Sequence, residues 1–387
     1  MKKSTNICVL LLLLAVFSCS DGNLAGKEAM VDIDEFKVFE LKRQAPKVRL
    51  VDLIEEVEIM RLEETDQSRL AFVTDLQQEG EMLVFRGSKE ETIYFFSKLG
   101  DYLSSFNHLG EAPGQYQSIQ NFWVKNDTVF IFEKLKSALM KYALDGIYLG
   151  EDKLPIRPAN LYFNELGYVA DMNNRLLFDS LQFRTVFLNT KMEVTGMANP
   201  FDEINQYNII SSTNPFTAYK DKLLYKSNFN DTVYSIDESS SRPLMKLDFG
   251  DEYYWVDKER RTDIMRALSE FLGSDQLLNI FPKVGQDIII ISLLNVGTEQ
   301  SPDLWLNRKT GEFKQIDLRK RNKGTYDFYF RMWEGDISMA SISSTDVADF
   351  IADLGEGHYK FRKGTTLEEI ESSENPVLMW VKFKDFE

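Results

Sequence analysis

A repeat of 46 residues constrains the fold of this chain more than any other feature of its sequence. A three-residue segment within a predicted strand recurs at this step, as Leu83-Val84-Phe85, Val129-Phe130-Ile131, Arg175-Leu176-Leu177 and Asp221-Lys222-Leu223. A second segment keeps the same step, from Tyr94 to Met140, Val186 and Thr232. A register held over four copies without a gap indicates a fold built from equal structural units.

Each unit consists of short apolar runs that are typical of β-strands. The runs are rich in Val, Ile, Phe, Tyr and Leu, and polar turns such as Lys125-Asn126-Asp127 and Asp145-Gly146 separate them. Three or four strands in a unit of about 40 to 50 residues are typical of a β-propeller blade. Because one blade cannot bury both faces of its small sheet, the units must stack around a common axis.

The predicted fold is all-β, a six-bladed β-propeller of four-stranded blades that occupies residues 48–387. Seven blades are the alternative, since residues 49–387 are long enough for seven units of 46 residues. We favour six because the second half contains insertions, including an amphipathic helix predicted within residues 257–272. We expect the early strand Val57 to Leu62 to pair with the last strand, Val377 to Phe383, so that the ring closes without an open edge.

The N-terminus is predicted to direct export. A basic start is followed by an apolar run of eleven residues, Ile7 to Phe17. At about 1.5 Å per residue this run is too short to span a bilayer. The segment Val16-Phe17-Ser18-Cys19 resembles a bacterial lipobox, so we expect residues 1–18 to be a signal peptide and Cys19 to carry the lipid that attaches the protein to a membrane. Residues 19–47 are expected to form a flexible tether.

The segment Ser97 to Leu103, followed by His108 to Tyr116, resembles the linker between blades in the six-bladed β-propeller lipoproteins of Bacteroides-like bacteria. These are distant relatives of NHL-repeat propellers. The chain departs from the Gly-rich pattern of that family at Glu111-Ala112 and at Gln115. The resemblance implies the fold and a place in the cell envelope, and Ser20-Asp21 is similar to the signals that send such lipoproteins to the outer face of the outer membrane.

Charge and motifs exclude several classes of function. The chain has 45 Lys and Arg residues against 61 Asp and Glu residues, a net charge of -16, which argues against nucleic acid as a partner. The two histidines, His108 and His358, lack neighbours at metal-ligand spacing, and no phosphate-binding or nucleophile motif is present. We therefore expect no cofactor and no metal, and an enzyme is the less favoured hypothesis.

A ligand site is expected on the face where the connections between blades cross beside the central funnel. Three of these connections are long, Asn107 to Ser118, Pro200 to Pro215 and Gly250 to Gly285, and their aromatic, amide and histidine side chains suit a glycan or a peptide. The candidate ligand-binding residues are His108, Gln115, Tyr116, Asn205, Gln206, Tyr207, Tyr253, Tyr254 and Trp255. The alternative is that these aromatic rings fill the spaces between blades and that His108 is a structural loop residue.

The sequence thus predicts a lipid-anchored envelope protein that binds a ligand or assembles a complex without chemistry of its own. One alternative is a carbohydrate-active hydrolase or lyase that uses funnel carboxylates. Another is a structural partner of a second envelope protein. The basic run from Arg319 to Lys323 could bind a partner, but in so acidic a chain we expect it to be a solvated loop.

Overall fold

Six sheets, arranged as the blades of a β-propeller, make up the part of the chain that the computed structural model describes. The described residues are 35–87, 91–164, 167–178, 180–201, 214–220, 222–261, 263–295 and 302–384. The all-β six-bladed prediction is confirmed, and the seven-bladed alternative is not.

The strands follow the blades in chain order. The N-terminal segment contains β1 (Lys37–Glu40), β2 (Lys47–Arg49), α1 (Leu50–Leu53) and β3 (Ile54–Met60). The first blade consists of β4 (Val73–Glu79), β5 (Met82–Gly87), β6 (Thr92–Ser97) and β7 (Tyr102–Phe106). The second consists of β8 (Asn121–Lys125), β9 (Thr128–Glu133), β10 (Ala138–Ala143) and β11 (Tyr148–Lys153). The third consists of β12 (Asn160–Asn164), β13 (Gly167–Asp171), β14 (Phe183–Leu188) and β15 (Val194–Pro200).

The second half has the same plan with longer connections. The fourth blade contains β16 (Phe216–Tyr219), β17 (Lys222–Tyr225), β18 (Thr232–Asp237) and β19 (Ser240–Asp248). Short 3-10 helices (Gly250–Glu252, Tyr254–Val256, Lys258–Arg261) and α2 (Ile264–Phe271) lead to the fifth blade, β20 (Asn279–Val284), β21 (Ile288–Leu294), β22 (Leu304–Asn307) and β23 (Phe313–Asp317). The sixth blade is formed by β24 (Phe328–Glu334), β25 (Ile337–Ile342), β26 (Tyr359–Phe361), β27 (Val377–Phe383) and β3, with a 3-10 helix (Ser344–Asp346), α3 (Val347–Leu354) and α4 (Leu367–Glu371) in its insertions.

The ring closes where β3 pairs antiparallel with β27, as the sequence predicts. Val57 lies opposite Val381 and Ile59 lies opposite Met379. On its other side β3 pairs in parallel with β26, so neither edge of this N-terminal strand is left open. The N-terminal strand β3 and the last strand, β27, therefore complete one blade together.

Buried apolar side chains form one cluster at each interface between neighbouring blades. Between the first and second blades, for example, Phe95 and Phe106 pack with Ile131 and Met140. The other clusters join the second blade to the third, and so on around to the sixth and first. This arrangement follows from the small size of a blade. The apolar faces of its sheet are removed from water only when neighbouring blades cover them.

The 46-residue register is correct in part. Tyr94, Met140, Val186 and Thr232 all lie in the third strands of their blades. Of the other set, Leu83 to Phe85 and Val129 to Ile131 lie in second strands, and Lys222 and Leu223 lie in β17. The exception is Arg175 to Leu177, which follows β13 in the connection to β14, because the third blade places its extra residues between those two strands.

The N-terminal segment differs from the predicted tether over its described residues. Lys37–Glu40 pairs in parallel with β19 on the outer edge of the fourth blade, and Lys47–Arg49 pairs with β23 on the fifth. The ordered domain therefore begins before residue 48. Residues 19–34 of the tether, and the predicted signal peptide, lie outside the described residues.

The predicted helix of residues 257–272 is shorter than expected. Only Ile264–Phe271 is α-helical, and Asp263 caps it by accepting a hydrogen bond from the backbone N–H of Arg266. Ala267 and Phe271 are buried, whereas Leu272, predicted on the same apolar face, lies beyond the last helical residue and is 69% exposed. No helix among the described residues has the length and apolarity that a membrane crossing requires.

Candidate functional site

A cavity of about 790 Å³ lies on the axis of the propeller, and we call it the central cavity. The first strand of every blade contributes to its wall, namely β4, β8, β12, β16, β20 and β24. Its volume is in the range of small-molecule and oligomer binding sites, which is about 300 to 1,000 Å³. The repeat thus produces a cavity by placing six equivalent strands around one axis.

Aromatic rings form one side of the central cavity. Trp123 and Phe163, from neighbouring blades, stack with ring centroids 6.0 Å apart and an angle of 9° between their planes. The ammonium group of Lys125 lies 4.3 Å from the centroid of Phe163. Tyr162 and Phe216 make a similar contact at 5.8 Å between the third and fourth blades. Such rings offer flat apolar faces on which a sugar ring or a peptide side chain can stack.

Three cationic side chains line another part of the same cavity. Lys226, at the end of the second strand of the fourth blade, is buried and donates a hydrogen bond of 2.5 Å to Oδ1 of Asn279. Burial lowers the pKa of Lys226 to about 7, although the charge of Asp231 opposes this shift. Burial also lowers the pKa of Arg331 to about 10, and burial together with the charge of Arg331 lowers the pKa of Lys283. Burial therefore makes the charged forms of these side chains less favourable in free energy than they are in water. An anionic ligand in the cavity would reduce this free-energy cost.

Amide side chains extend from Lys226 into the next blades. Nδ2 of Asn279 donates to Oδ1 of Asn228 at 3.0 Å, and Nδ2 of Asn228 donates to Oδ1 of Asn173 at 3.3 Å. The backbone N–H of Asn173 in turn donates to Oδ1 of Asp171 at 3.0 Å. This network fixes the position of the Lys226 ammonium group relative to the cavity.

Two carboxylates lie on the described wall of the central cavity. Among the described lining residues they are Asp75 and Glu79, which both belong to β4. Asp75 forms an ion pair of 2.6 Å with Arg86. A glycosidase needs two carboxyl groups on opposite sides of the scissile bond, about 5 to 9.5 Å apart. Asp75 and Glu79 instead lie on the same strand of the first blade.

The structure brings His108, Gln115 and Tyr116 together in the connection between β7 and β8. Nε2 of His108 donates to the carbonyl oxygen of Gly146 at 2.7 Å, and Oε1 of Gln115 accepts from the N–H of Ala112 at 2.9 Å. The hydroxyl of Tyr116 donates to the carbonyl of Glu91 at 2.8 Å and accepts from the N–H of His108 at 3.0 Å.

These three side chains therefore hold the connection to the neighbouring turns. Tyr116 is fully buried, and burial raises its pKa to about 12. His108 also stacks on Tyr142 with centroids 5.4 Å apart. None of the three is among the residues that line the central cavity.

The predicted aromatic group in the connection between the fourth and fifth blades is buried. Tyr253, Tyr254 and Trp255 belong to the apolar cluster between these blades, where Trp255 packs on Phe229 at 4.2 Å. Nε1 of Trp255 donates to the carbonyl of Leu278, and the hydroxyl of Tyr254 donates to that of Ala267. Their contacts in the structure are with the protein interior, as in the alternative that they fill the space between blades.

Two sets of predicted residues cannot be located. Asn205, Gln206 and Tyr207, and Cys19, which the sequence predicts to carry a lipid, lie outside the described residues. The predicted connection Gly250 to Gly285 is also shorter than expected, because Asn279–Val284 is the innermost strand of the fifth blade.

Sequence reasoning missed the cations of the central cavity. The predicted ligand-binding residues all belong to connections between blades, whereas Lys226, Lys283 and Arg331 lie in or directly after strands. The available signal was a single cation within an otherwise apolar run, as in Phe330-Arg331-Met332-Trp333. Such a residue must either pair inside the protein or face a cavity. Among the described residues, no group of three or more His, Cys, Asp or Glu side chains is placed to hold a metal ion.

Comparisons with known proteins agree with the fold. The family described as "Domain of unknown function (DUF4934)" matches residues 35–382. A solved structure from Bacteroides fragilis NCTC 9343, of a protein assigned as exported, superposes with a TM-score of 0.68 at 15% identity and covers 90% of this chain and 100% of that one. At this identity the likeness concerns the fold alone.

Two further solved structures match with lower TM-scores. A member of the DUF4221 family from Bacteroides vulgatus ATCC 8482 matches with a TM-score of 0.48 at 10% identity, over 86% of this chain and 97% of its own. A virginiamycin B lyase from Staphylococcus aureus matches with a TM-score of 0.40 at 10% identity, over 84% and 99%. No curated protein matches the sequence.

Proposed function

The chain belongs to the DUF4934 family, and we propose that it is a binding module of the cell envelope that takes an anionic glycan or peptide into its central cavity without acting on it chemically. The central cavity is the single observation that carries this proposal. It combines stacked aromatic rings with the cations Lys226, Lys283 and Arg331 in a chain whose net charge is -16.

The choice of an anionic ligand follows from the electrostatics of the cavity. Lys226 is buried and Lys283 and Arg331 are largely covered, so water screens their charges poorly. A carboxylate, sulfate or phosphate group in the cavity would restore the stabilisation that burial removes. The rings of Trp123 and Phe163 would contact the uncharged part of the same ligand.

Binding without catalysis is the favoured role because the groups of the cavity suit recognition. Asp75 is engaged with Arg86, and Glu79 lies on the same strand. The cations and rings offer charge and stacking surface, which orient a ligand, and the ammonium group of Lys226 is held in place by its hydrogen bond to Asn279. Assembly with another envelope protein would use the same cavity if that protein inserted an acidic segment.

Location in the envelope is proposed from the N-terminal sequence. The basic start, the apolar run Ile7 to Phe17 and Cys19 form the pattern of a lipoprotein signal, and the similar protein of Bacteroides fragilis is assigned as exported. Labelling cells with a fatty acid tests this point, since Cys19→Ser should abolish the label and release the protein from the membrane fraction. Equal labelling of both proteins would contradict the lipid anchor.

The ligand is tested by screening the purified protein against an array of neutral and acidic glycans and peptides, with affinities measured by calorimetry. Lys226→Met should weaken binding of the acidic probes by about tenfold, because it removes one poorly screened charge of the cavity. Lys360→Met is the matched control, since Lys360 lies on the outer strand β26 and pairs with Glu56 and Glu58. Absence of binding to every acidic probe, or equal affinities for the two variants, would contradict the proposal.

A further inference from the structure

A second cavity, also of about 790 Å³, lies between the second and third blades on the face where the second strands of the blades end. Its cationic residues come from separate parts of the chain, with Lys134 and Lys136 from the β9–β10 turn, Lys153 from the end of β11, Arg157 from the β11–β12 connection, and Arg175 from the β13–β14 connection. We call it the cationic pocket. It shares no lining residue with the central cavity.

The charge of the cationic pocket is opposite to that of the whole chain. Five of its eleven lining residues are Lys or Arg and none is Asp or Glu, whereas the chain as a whole has more acids than bases. Like charges that converge on one cavity repel each other by an amount that grows as water is excluded. Lys153 pairs with Glu151 at 2.9 Å, and the fold must keep the other four cations together against their mutual repulsion.

The pKa values of the inner residues are consistent with this repulsion. Burial lowers the pKa of Lys134 and so does the charge of Arg175, while the pKa of Arg175 is lowered by burial and by the charge of Arg157. The buried carboxyl group of Asp171 lies behind the pocket and partly offsets both shifts. A second anion, supplied by a ligand in the pocket, would relieve the repulsion further.

We propose that the cationic pocket binds a tetrahedral oxyanion group, a sulfate or a phosphate, carried by a ligand that is independent of the one in the central cavity. The planar guanidinium groups of Arg157 and Arg175 match the geometry of two oxygens of such a group. Lys134 adds a point charge, and the hydroxyl of Ser137, which also lines the pocket, can donate to a remaining oxygen.

The pocket differs from the basic run Arg319 to Lys323, which the sequence alone makes more conspicuous. In that run Arg319 pairs with Asp317 at 2.5 Å, Lys320 pairs with Asp346 at 2.7 Å, and Arg321 contacts Asp353 at 3.5 Å. Three of the four cations of the run are thus paired with carboxylates that lie outside it. The basic run therefore serves as the control for the cationic pocket, since it also contains arginine and lysine side chains.

Titration of the purified protein with inorganic sulfate, inorganic phosphate and neutral N-acetylglucosamine tests the proposal. We expect binding of at least one of the two anions, and a loss of affinity of about tenfold or more in the double variant Arg157→Gln with Arg175→Gln. The double variant Arg319→Gln with Arg321→Gln loses the same two charges from the basic run and should bind the anions within about twofold of the unmodified protein.

Each outcome decides the proposal. Binding of sulfate alone or of phosphate alone identifies the ester class of the natural ligand, and binding of both supports the shared chemistry. Absence of binding to either anion up to about 10 mM, or equal losses in the two double variants, overturns it. If the first double variant does not fold, Arg157→Gln alone replaces it, because Arg157 is exposed. Lys226→Met should leave anion binding here unchanged, which separates this site from the central cavity.

Discussion

The hydroxyl of Tyr225 donates a hydrogen bond of 2.9 Å to Oδ1 of Asp171 across the interface between the third and fourth blades. Asp171 is 2% exposed and Tyr225 is fully buried. Nδ2 of Asn160 and the backbone N–H of Asn173 also donate to this carboxyl group. Burial raises the pKa of Asp171, and these three donors oppose the shift, so the group depends on them in the folded state.

We predict that Tyr225→Phe lowers the free energy of unfolding by about 1.5 to 3 kcal/mol, because it removes one donor from a buried carboxyl group and leaves the ring in place. Urea unfolding followed by tryptophan fluorescence measures the change. Tyr359→Phe, at a half-buried position on β26, is the control and should change the stability by less than about 0.5 kcal/mol. Equal effects of the two substitutions would mean that the contact with Asp171 contributes no stability.

Lys226 should make the stability depend on pH. Its pKa is lowered from the ordinary value of 10.5 to about 7 in the folded protein, so between these values the unfolded chain holds a proton that the folded protein does not. The contribution of Lys226 to stability is therefore complete above pH 10.5 and is lost as the pH falls through about 7.

The free energy of unfolding of the unmodified protein minus that of Lys226→Met should rise between about pH 7 and 9, by at most about 1.4 kcal/mol per pH unit. Urea titrations at a series of pH values give this difference. For Lys360→Met the difference should stay level over this range, because contacts with Glu56 and Glu58 raise the pKa of Lys360 above it. A level difference for Lys226→Met as well would place the pKa of Lys226 outside this window.

Local turn chemistry and apolar patterning made most of the fold predictable. Asn126 and Asp127 adopt positive φ values of 48° and 55° between β8 and β9, which is the two-residue hairpin that their side chains favour. The 46-residue register wrongly placed Arg175 in a second strand. A repeat step does not show which loop of a unit contains its extra residues. The outer positions of β1 and β2 were missed because parallel pairing with a distant strand leaves no local signal in three or four residues.

The candidate site was less predictable from the sequence. Its composition depends on which side chains of each blade face the axis of the propeller. Trp255 and Trp123 have similar chemistry in the sequence, yet Trp255 is enclosed between blades and Trp123 lines the central cavity. The cations of the cationic pocket are 41 residues apart along the chain from Lys134 to Arg175, and no local pattern connects them. Only the stacking of the blades brings such residues together.

Closure of the ring by β3 should dominate the stability of the domain. The backbone N–H of Val57 donates to the carbonyl of His358 at 2.9 Å, and β3 has a strand on each side. Val57→Pro removes this donor, and we expect it to cost about 3 kcal/mol more than Val57→Ala, which keeps the N–H and loses only methyl groups. Thermal unfolding by circular dichroism measures both. Similar stabilities for the two variants would show that the sixth blade closes without this hydrogen bond.

A substitution of Tyr116 can distinguish two roles of this residue. The sequence predicts that it contacts a ligand, whereas its hydrogen bonds indicate a structural role. Its hydroxyl joins the N–H of His108 to the carbonyl of Glu91, within the connection that leads into the second blade. Tyr116→Phe should therefore lower the free energy of unfolding by about 1 to 2 kcal/mol, since the substitution leaves two partly buried backbone groups without this partner.

The same substitution should leave the affinity of an acidic probe for the central cavity within about twofold of the unmodified protein, because Tyr116 does not line that cavity. Tyr148→Phe, at an exposed position in the neighbouring β11, is the control for the loss of a hydroxyl group and should alter neither quantity. Calorimetric titration and urea unfolding of the three proteins measure both effects. If Tyr116→Phe abolished binding without loss of stability, Tyr116 would be a ligand-binding residue, and the binding surface would extend to the connection between the first and second blades.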